Sequence, residues 1–182
     1  MARIDQTPLQ IEILHFSHDG RGVGRRSDGK TVFVAGALPG EQVVARLSKG
    51  SRKFDEAETV EVLQASPDRV TPRSPHFGTC GGCVLQHLAE DQQIVMKQQV
   101  LLDNLQRIGH VVPERVLPPL TDAAWGYRRK GRLSVRRVEK KGKTLVGFRE
   151  HDGRYVADLT RCETVIPEIG EKIGALCALV DG

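Results

Sequence analysis

A short stretch of the chain, TPRSPHFGTCGGCVLQH at residues 71–87, combines two thiols with glycines and flanking histidines. Cys80 and Cys83 are three positions apart, and the two glycines between them let the backbone bend until both sulfurs face one point. A metal site, an iron–sulfur cluster and a redox disulfide all require this local geometry. Any remaining ligands must come from elsewhere in the chain.

The cellular compartment of the protein helps to choose between a metal site, a cluster and a disulfide. The first ten residues, MARIDQTPLQ, lack the apolar segment of a signal peptide, and no stretch approaches the roughly 18 apolar residues of a membrane span. We therefore expect a cytoplasmic protein with no membrane partner. Because the cytoplasm keeps thiols reduced, a metal or cluster ligand set is favoured over a structural disulfide. Cys177, within GALCALV, is expected to pack as a small apolar side chain.

The N-terminal third has the pattern of a small β-structure. From Leu9 to about Leu63, short alternating segments are divided by glycine turns, and Ile11, Ile13 and His15 share one face of the first segment. Five short strands in about 55 residues predict a closed barrel of the oligonucleotide-binding type. A small β-sandwich is the alternative.

The rest of the chain alternates between loops, helices and strands. A proline-rich loop follows Pro67, and helical spacing of apolar residues predicts a helix over residues 90–108. Residues 125–158 predict an antiparallel meander of three strands, with Leu133 and Val135 on its buried face, and residues 167–180 predict one helix. Cys162 directly follows the third strand, from which the chain can return to the Cys80 turn. The fold class is therefore mainly β with α (α+β).

Four segments result from this pattern. We expect a barrel domain at residues 1–66, a cysteine cluster loop at 67–90, a helix and linker at 91–120, and a small central domain with flanking helices at 121–182. The central domain begins with the basic meander.

Positive charge is concentrated in two of these segments. Residues 121–150 contain ten Lys or Arg against three acids, a net charge of +7 in a chain whose total is +4. Because cationic surfaces neutralise phosphates and release counterions, this segregation favours RNA as a partner. The candidate RNA-binding residues beside the meander are Trp125, Tyr127, Arg128, Arg129, Lys130 and Arg132, the two rings being available for base stacking. Auxiliary contacts in the barrel would come from Arg21, Arg25, Lys49, Arg52 and Lys53.

Several motifs in order now point to a family. PHFGTCGGCVLQHL, WGYRRKGRLSVR, VGFRE and DLTRCETV follow the small barrel, and this arrangement resembles the RNA uracil-5-methyltransferases, most closely the bacterial 23S ribosomal RNA branch. The resemblance covers nearly the whole chain. It implies that residues 9–65 form a TRAM domain, an RNA-binding barrel, and that 23S rRNA is the partner. A tRNA-modifying relative is the alternative within the family.

The resemblance also implies a cofactor. Cys80, Cys83 and Cys162 match three of the family's four ligands to a four-iron, four-sulfur (4Fe–4S) cluster, and Ser74 stands where the fourth cysteine belongs. Because a serine alkoxide is a harder and more basic ligand than a thiolate, we expect a cluster that is weakly held, oxygen-sensitive or absent. The alternative is a Cys3His zinc site completed by His76 or His87.

Catalysis in the family needs parts that we do not find in this sequence. Relatives have an S-adenosylmethionine domain and a cysteine that attacks uracil C6. No glycine-rich loop here joins a strand to a helix in the manner of such a site, and we assign no catalytic residue. We therefore expect the N-terminal portion of a methyltransferase, monomeric and not catalytically competent alone. The other function class is a free-standing RNA-binding module with a zinc or iron site.

Overall fold

The computed structural model describes residues 7–181, which form two compact units. The barrel unit contains residues 7–70 and 87–119, and the cysteine unit contains residues 71–86 and 120–181. Residues 67–90, which we expected to form one loop, are thus divided between the two units.

The barrel unit begins with five strands. They are β1 (Leu9–Phe16), β2 (Gly22–Arg25), β3 (Thr31–Ala35), β4 (Gln42–Gly50) and β5 (Phe54–Gln64). The strands close in the order β1-β2-β3-β5-β4, and every neighbouring pair is antiparallel except β3 and β5. The predicted five-stranded barrel is confirmed.

Alternation along the strands fills the barrel. The core consists of small and β-branched aliphatic side chains together with one leucine: Ile11, Ile13, Val32, Val34, Ala37, Val43, Ala45, Leu47 and Ala57. An irregularity in the pairing of β1 after Ile13 leaves His15 exposed, so its predicted place on the Ile11 face is wrong. Gly22 lets β1 approach, because a Cβ atom there would lie 2.7 Å from Ile13 Cγ2.

A buried polar cluster holds the segment that follows β5 against the barrel through hydrogen bonds to Glu41. Glu41 is fully buried, and its carboxylate accepts hydrogen bonds from Arg69 Nε at 2.5 Å and Arg69 Nη2 at 2.7 Å. The Leu38 and Ser66 N–H groups also donate to it. His87, 1% exposed, lies close to these charges. Every oxygen of the buried carboxylate is therefore compensated.

Helix α1 (Glu90–Arg107) completes the barrel unit and confirms the helix predicted there. Its buried residue is Met96, whereas Leu101 and Ile108 are exposed. Apolar spacing identifies a stripe on a helix but not how much of that stripe a neighbour covers. Within residues 7–181, no helix has the length and apolarity to cross a membrane.

The cysteine segment leaves and rejoins the barrel unit at one point. Arg69 and Leu88 form an antiparallel bridge, and the Val70 N–H donates to the His87 carbonyl at 3.0 Å. The Ala89 N–H donates to the Asp68 carbonyl at 2.9 Å. Residues 71–86 are therefore an excursion whose two ends are hydrogen-bonded together.

The cysteine unit contains a hairpin and two short helices. Strands β6 (Ser134–Val138) and β7 (Lys143–Gly147) pair antiparallel, and α2 (Pro167–Gly170) precedes α3 (Ile173–Asp181). The third predicted strand is reduced to a single bridge between Arg149 and Val156. The predicted C-terminal helix is interrupted after Gly170, where Glu171 caps α2.

The core of the cysteine unit is small and includes a thiol. Its buried members are Cys80, Ala157, Leu159 and Ile173, with half-buried side chains packed around them. The hairpin contributes through β7, whose last four residues are buried. Val135 on β6 is 55% exposed, so its predicted burial is wrong, because β6 pairs with β7 alone and its outer face has no cover among the described residues.

Candidate cysteine site and basic surface

The four predicted ligand positions meet in the cysteine unit. Cys80, Cys83, Cys162 and Ser74 line one small cavity, together with His76 and Phe148. Cys80 is buried, and the other two cysteines are half-buried. Residues separated by about eighty positions in the chain are thus brought to a common point.

Backbone hydrogen bonds hold the Cys80 turn in place. The Cys80 N–H donates to the His76 carbonyl at 2.9 Å, and the Gly81 N–H donates to the Arg149 carbonyl at 2.8 Å. A Cβ atom at Gly81 would lie 2.9 Å from that same carbonyl oxygen, so glycine is required for this approach. The Gly82 N–H points at Cys80 Sγ at 3.4 Å, as in hydrogen-bonded thiolate ligands.

Cys162 reaches the cavity from the chain before α2. Its N–H donates to the Gly170 carbonyl at 2.9 Å. The hydroxyl of Thr164 lies 3.4 Å from Cys162 Sγ and 4.0 Å from Cys83 Sγ. This buried hydroxyl therefore lies beside two of the three sulfurs, accepting a hydrogen bond from Cys83 Sγ and sharing one with Cys162 Sγ.

The charge state of the thiols follows from their surroundings. Burial raises the pKa of the Cys80 thiol, and the nearby Cys83 and Cys162 raise it further, while the Gly82 N–H and Arg128 oppose the shift. Without a cation the Cys80 sulfur is therefore a protonated thiol at neutral pH. A bound metal group would supply the positive charge that the thiolate forms need.

Hydrogen bonds occupy Ser74 and His76. The Ser74 N–H donates to Gln86 Oε1 at 2.9 Å, and its hydroxyl oxygen accepts from the His76 N–H at 3.2 Å. His76 Nε2 accepts the Thr160 N–H at 3.0 Å. The lone pair that Nε2 would give to a metal is thus already used.

These contacts bear on the zinc alternative. Within residues 7–181, no group of three or more His, Cys, Asp or Glu side chains is arranged to hold a metal ion. His87 lies in the barrel unit beside Glu41 and Arg69 and does not line the cysteine cavity. His76 Nε2 is thus engaged with Thr160, and His87 lies outside the cysteine cavity, while the three thiols line that cavity without forming a preformed metal site among the described residues.

The predicted RNA-binding segment lies in the same unit as the cysteines. Residues 125–130 are not a strand as predicted, but they are anchored by the Gly126 and Arg128 N–H groups, which donate to the Glu163 and Thr164 carbonyls. Tyr127 is 56% exposed, and Arg129, Lys130 and Arg132 are also exposed.

The two predicted rings differ in their surroundings. The guanidinium of Arg73 lies over the half-buried Trp125 ring at 5.4 Å from its centroid. Arg128 lies over the Phe148 ring in the same way at 5.3 Å. Tyr127 is exposed, so it is the more accessible stacking surface of the two predicted rings.

The predicted barrel residues are distributed over the strands and turns. Arg21 pairs with Asp19 at 2.8 Å and lies over the Phe33 ring, so much of its charge is compensated. Lys49 lies 4.0 Å from Glu56. Arg52 and Lys53 are exposed in the turn between β4 and β5.

A groove in the barrel unit adds residues that the sequence interpretation missed. Arg25 lines a cavity of about 480 Å³ between the barrel and α1, together with His15, His18, Phe33 and Arg107. Arg107 belongs to the last turn of a helix that the sequence marks only for packing. Its role as a groove residue depends on where α1 lies, which no local pattern specifies.

Comparison with known proteins is consistent with the geometry. Residues 7–60 match the TRAM domain. The chain is 69% identical over 182 residues to the 23S rRNA (uracil(1939)-C(5))-methyltransferase RlmD of Stenotrophomonas maltophilia, and also to that of Xanthomonas campestris pv. campestris. Each alignment covers 99% of this chain and 41% of the relative.

A solved structure shares the fold. It is the Pyrococcus abyssi tRNA (uracil-54, C5)-methyltransferase in complex with S-adenosyl-L-homocysteine, with a TM-score of 0.61 and 24% identity. The match covers 94% of this chain and 36% of that one. The chain contains a TRAM domain and, as its motifs predict, is similar to the N-terminal part of 23S rRNA uracil-5-methyltransferases, spanning about two fifths of their length.

Proposed function

We propose that this chain is the RNA-binding N-terminal portion of an S-adenosylmethionine-dependent enzyme that methylates C5 of a uridine in 23S rRNA. The observation that carries the proposal is 69% identity over 182 residues to relatives with this activity in their names. The shared fold with a tRNA methyltransferase is compatible with a tRNA substrate, but at 24% identity it supports the fold alone.

Methyl transfer itself is proposed to belong to the part of the relatives that this chain does not span. Enzymes that alkylate uracil C5 need a nucleophile at C6 and a bound methyl donor. None of the motifs in residues 7–181 has been assigned either role. The solved neighbour contains S-adenosyl-L-homocysteine, the product left when S-adenosylmethionine gives up its methyl group.

The role proposed for this chain is to hold RNA in an accessible form. A uridine must be unstacked before a nucleophile can reach its ring, so the enzyme has to bind a distorted or single-stranded segment. Exposed arginine and lysine side chains in the segment 128–132 supply positive charge, and the ring of Tyr127 supplies a surface on which a nucleobase can stack. Base–aromatic stacking contributes roughly 1–3 kcal/mol per base.

A 4Fe–4S cluster is the cofactor that we propose for the cysteine cavity. Cys80, Cys83 and Cys162 would hold it, with Ser74 at the fourth position. The donor set supports a cluster in two ways: three thiols line one cavity, and the Gly82 N–H is aimed at a ligand sulfur. When bound, the cluster would join the Cys80 turn to Cys162 and so stabilise the cysteine unit.

RNA binding is tested with a transcript of the 23S rRNA segment around the uridine that the relatives modify. We expect the chain to bind it more tightly than a scrambled transcript of equal length in fluorescence anisotropy. We also expect no methyl transfer from labelled S-adenosylmethionine by this chain alone. Equal affinity for both transcripts would contradict specificity for 23S rRNA, and methyl transfer would contradict the assignment of catalysis to the rest of the enzyme.

The cofactor is tested by anaerobic purification of the chain and of Ser74→Cys. Iron, acid-labile sulfide and zinc are measured beside the visible spectrum. We expect the cysteine variant to hold nearly four irons and the chain itself fewer, because the serine ligand is weaker. Zinc in both proteins without sulfide would contradict the cluster.

A further inference from the structure

The cysteine unit has a second cavity, which Gly81 and Gly82 of the Cys80 turn help to line. Its volume is about 440 Å³, and it is open to solvent. Four cationic side chains line it, against one carboxylate, that of Glu150: Arg128, Lys130, Arg132 and Arg149. Counting its Lys, Arg and Glu side chains, the lining has a net charge of +3. We name this cavity the cationic cavity.

The cations of this cavity have no salt-bridge partner among the residues that the structure describes. Within residues 7–181, Arg128, Lys130 and Arg132 form no ion pair. Two carboxylates of the unit pair with other cations instead: Asp158 binds Lys141 and Lys143, and Asp181 binds Arg137. Uncompensated like charges around one opening repel each other, and an anionic ligand would relieve that repulsion.

The walls of the cavity fix some of these charges in position. Arg149 Nη1 donates to the Gly153 carbonyl at 2.8 Å, which orients its guanidinium. Arg128 lies over the ring of Phe148. Gly131 borders this ring, since a Cβ atom at that position would be in ordinary van der Waals contact, 3.5 Å from Phe148 Cζ. The cavity is therefore a built site with an aromatic wall.

We infer that the cationic cavity binds the phosphodiester backbone of an RNA strand at two successive phosphates, an inference that rests on the proposed RNA-binding function. A phosphate carries the charge and the acceptor oxygens that arginine and lysine recognise. The cavity is open and three of its cations are exposed, so a passing strand suits it better than an enclosed small molecule.

The site shares a wall with the cysteine cavity. Gly82 and Phe148 line both cavities, and the backbone of Arg149 is hydrogen-bonded to Gly81. The backbone position of Arg149 is therefore coupled to the conformation of the Cys80 turn.

The test compares two double variants of the full chain. Lys130→Gln with Arg132→Gln removes two charges from the cavity, and Arg136→Gln with Lys140→Gln removes two exposed charges of the same unit outside it. Binding of a labelled single-stranded oligouridylate is measured over a range of salt concentrations, with circular dichroism as the check on folding. A methylphosphonate oligomer, which has a neutral backbone, is the ligand control.

We expect the cavity variant to lose about 25-fold in affinity at about 0.1 M salt and to lower the salt slope by about 1.4, from two phosphate contacts on a single strand. The control variant should change both quantities much less, and the neutral oligomer should bind poorly to every protein. Equal losses in the two variants would overturn this inference while leaving RNA binding intact. Tight binding of inorganic phosphate, with RNA affinity unaffected by the cavity variant, would assign the cavity to a small anion instead. No binding of oligouridylate or rRNA transcript by the unaltered chain would overturn both proposals.

Discussion

The barrel unit and the cysteine unit differ in the size of their hydrophobic cores and in how their charged side chains are paired. The barrel encloses nine buried aliphatic side chains, and its buried carboxylates Glu41 and Asp55 are both paired with cations. The cysteine unit has a smaller core that includes the Cys80 thiol and leaves a cluster of cations unpaired. The buried charges of the first unit are thus compensated by its own side chains, whereas the second has a cavity lined mainly by unpaired cations.

Removal of the Arg69 side chain is expected to have the largest effect on stability, and to destabilise the barrel unit more than the cysteine unit. Arg69→Ala leaves the buried Glu41 carboxylate without its cation, which should lower the free energy of unfolding by about 3–5 kcal/mol. Far-UV circular dichroism in urea follows the β-rich barrel, and fluorescence of the single tryptophan, Trp125, follows the cysteine unit. We expect the urea midpoint measured by circular dichroism to decrease more than the midpoint measured by tryptophan fluorescence. Coincident shifts would show that the units unfold together and would remove the contrast.

Acid should weaken the barrel unit at a pH where most carboxylates remain charged. Burial, followed by the charge of Arg69, lowers the pKa of His87 from 6.5 to about 4. Between these two pKa values the unfolded chain binds a proton at His87 and the folded chain does not. The free energy of unfolding therefore decreases as pH drops from 6.5 towards 4, by up to about 3 kcal/mol.

Urea titrations between pH 7 and pH 5 measure this dependence, with His87→Gln as the control. The variant should lose most of the slope in this interval, where Asp and Glu contribute little. A flat profile for the unaltered chain would show that His87 is not kept neutral by burial.

A matched pair of core substitutions sharpens the comparison at a smaller scale. Ile13 in the barrel and Ile173 in the cysteine unit are 1% and 0% exposed. Each Ile→Val change removes one methylene and should cost about 1 kcal/mol. We expect the cost at Ile173 to be the smaller, because a small core can collapse more readily around the space. Chemical denaturation measures both, and a larger loss at Ile173 would contradict the expectation that the smaller core of the cysteine unit collapses more readily.

The smallest expected effect is on the surface of the cysteine unit. The Asp158 carboxylate accepts from Lys141 and Lys143 at 3.0 and 2.9 Å, and the two cations hold its pKa below the usual value. Because these groups are largely solvated, Asp158→Asn should cost about 0.5 kcal/mol and less in high salt. Thermal melts at low and high salt measure the difference, and a loss that salt does not reduce would point to packing as the cause.

The barrel could be predicted from sequence because each of its strands and turns is indicated by residues that are adjacent in the chain. Residues alternate with a period of two, and glycines mark the turns, so five strands follow without knowledge of their partners. The same reasoning finds α1. It does not find the contacts of Glu41 with Arg69 and His87, because these residues are 28 and 46 positions apart and only the closed barrel brings them together.

The cysteine unit was less predictable because its order comes from long-range contacts. Residues 155–159 have strand composition, yet they make one bridge, and the basic segment at 125–130 is held by backbone groups near Thr164. The spacing of Cys80 and Cys83 indicates a ligand turn, but the assignment of Cys162 and Ser74 came from resemblance to a family. A local pattern cannot specify a partner eighty residues away.

The paired ends of residues 71–86 have a consequence for engineering the chain. Because Val70 and His87 are hydrogen-bonded to each other, the barrel and α1 are connected at this junction without the excursion between them. Changing the length of a segment whose two ends already meet costs little loop-closure entropy. Replacing residues 71–86 with a short glycine-containing turn should therefore leave a barrel that still folds.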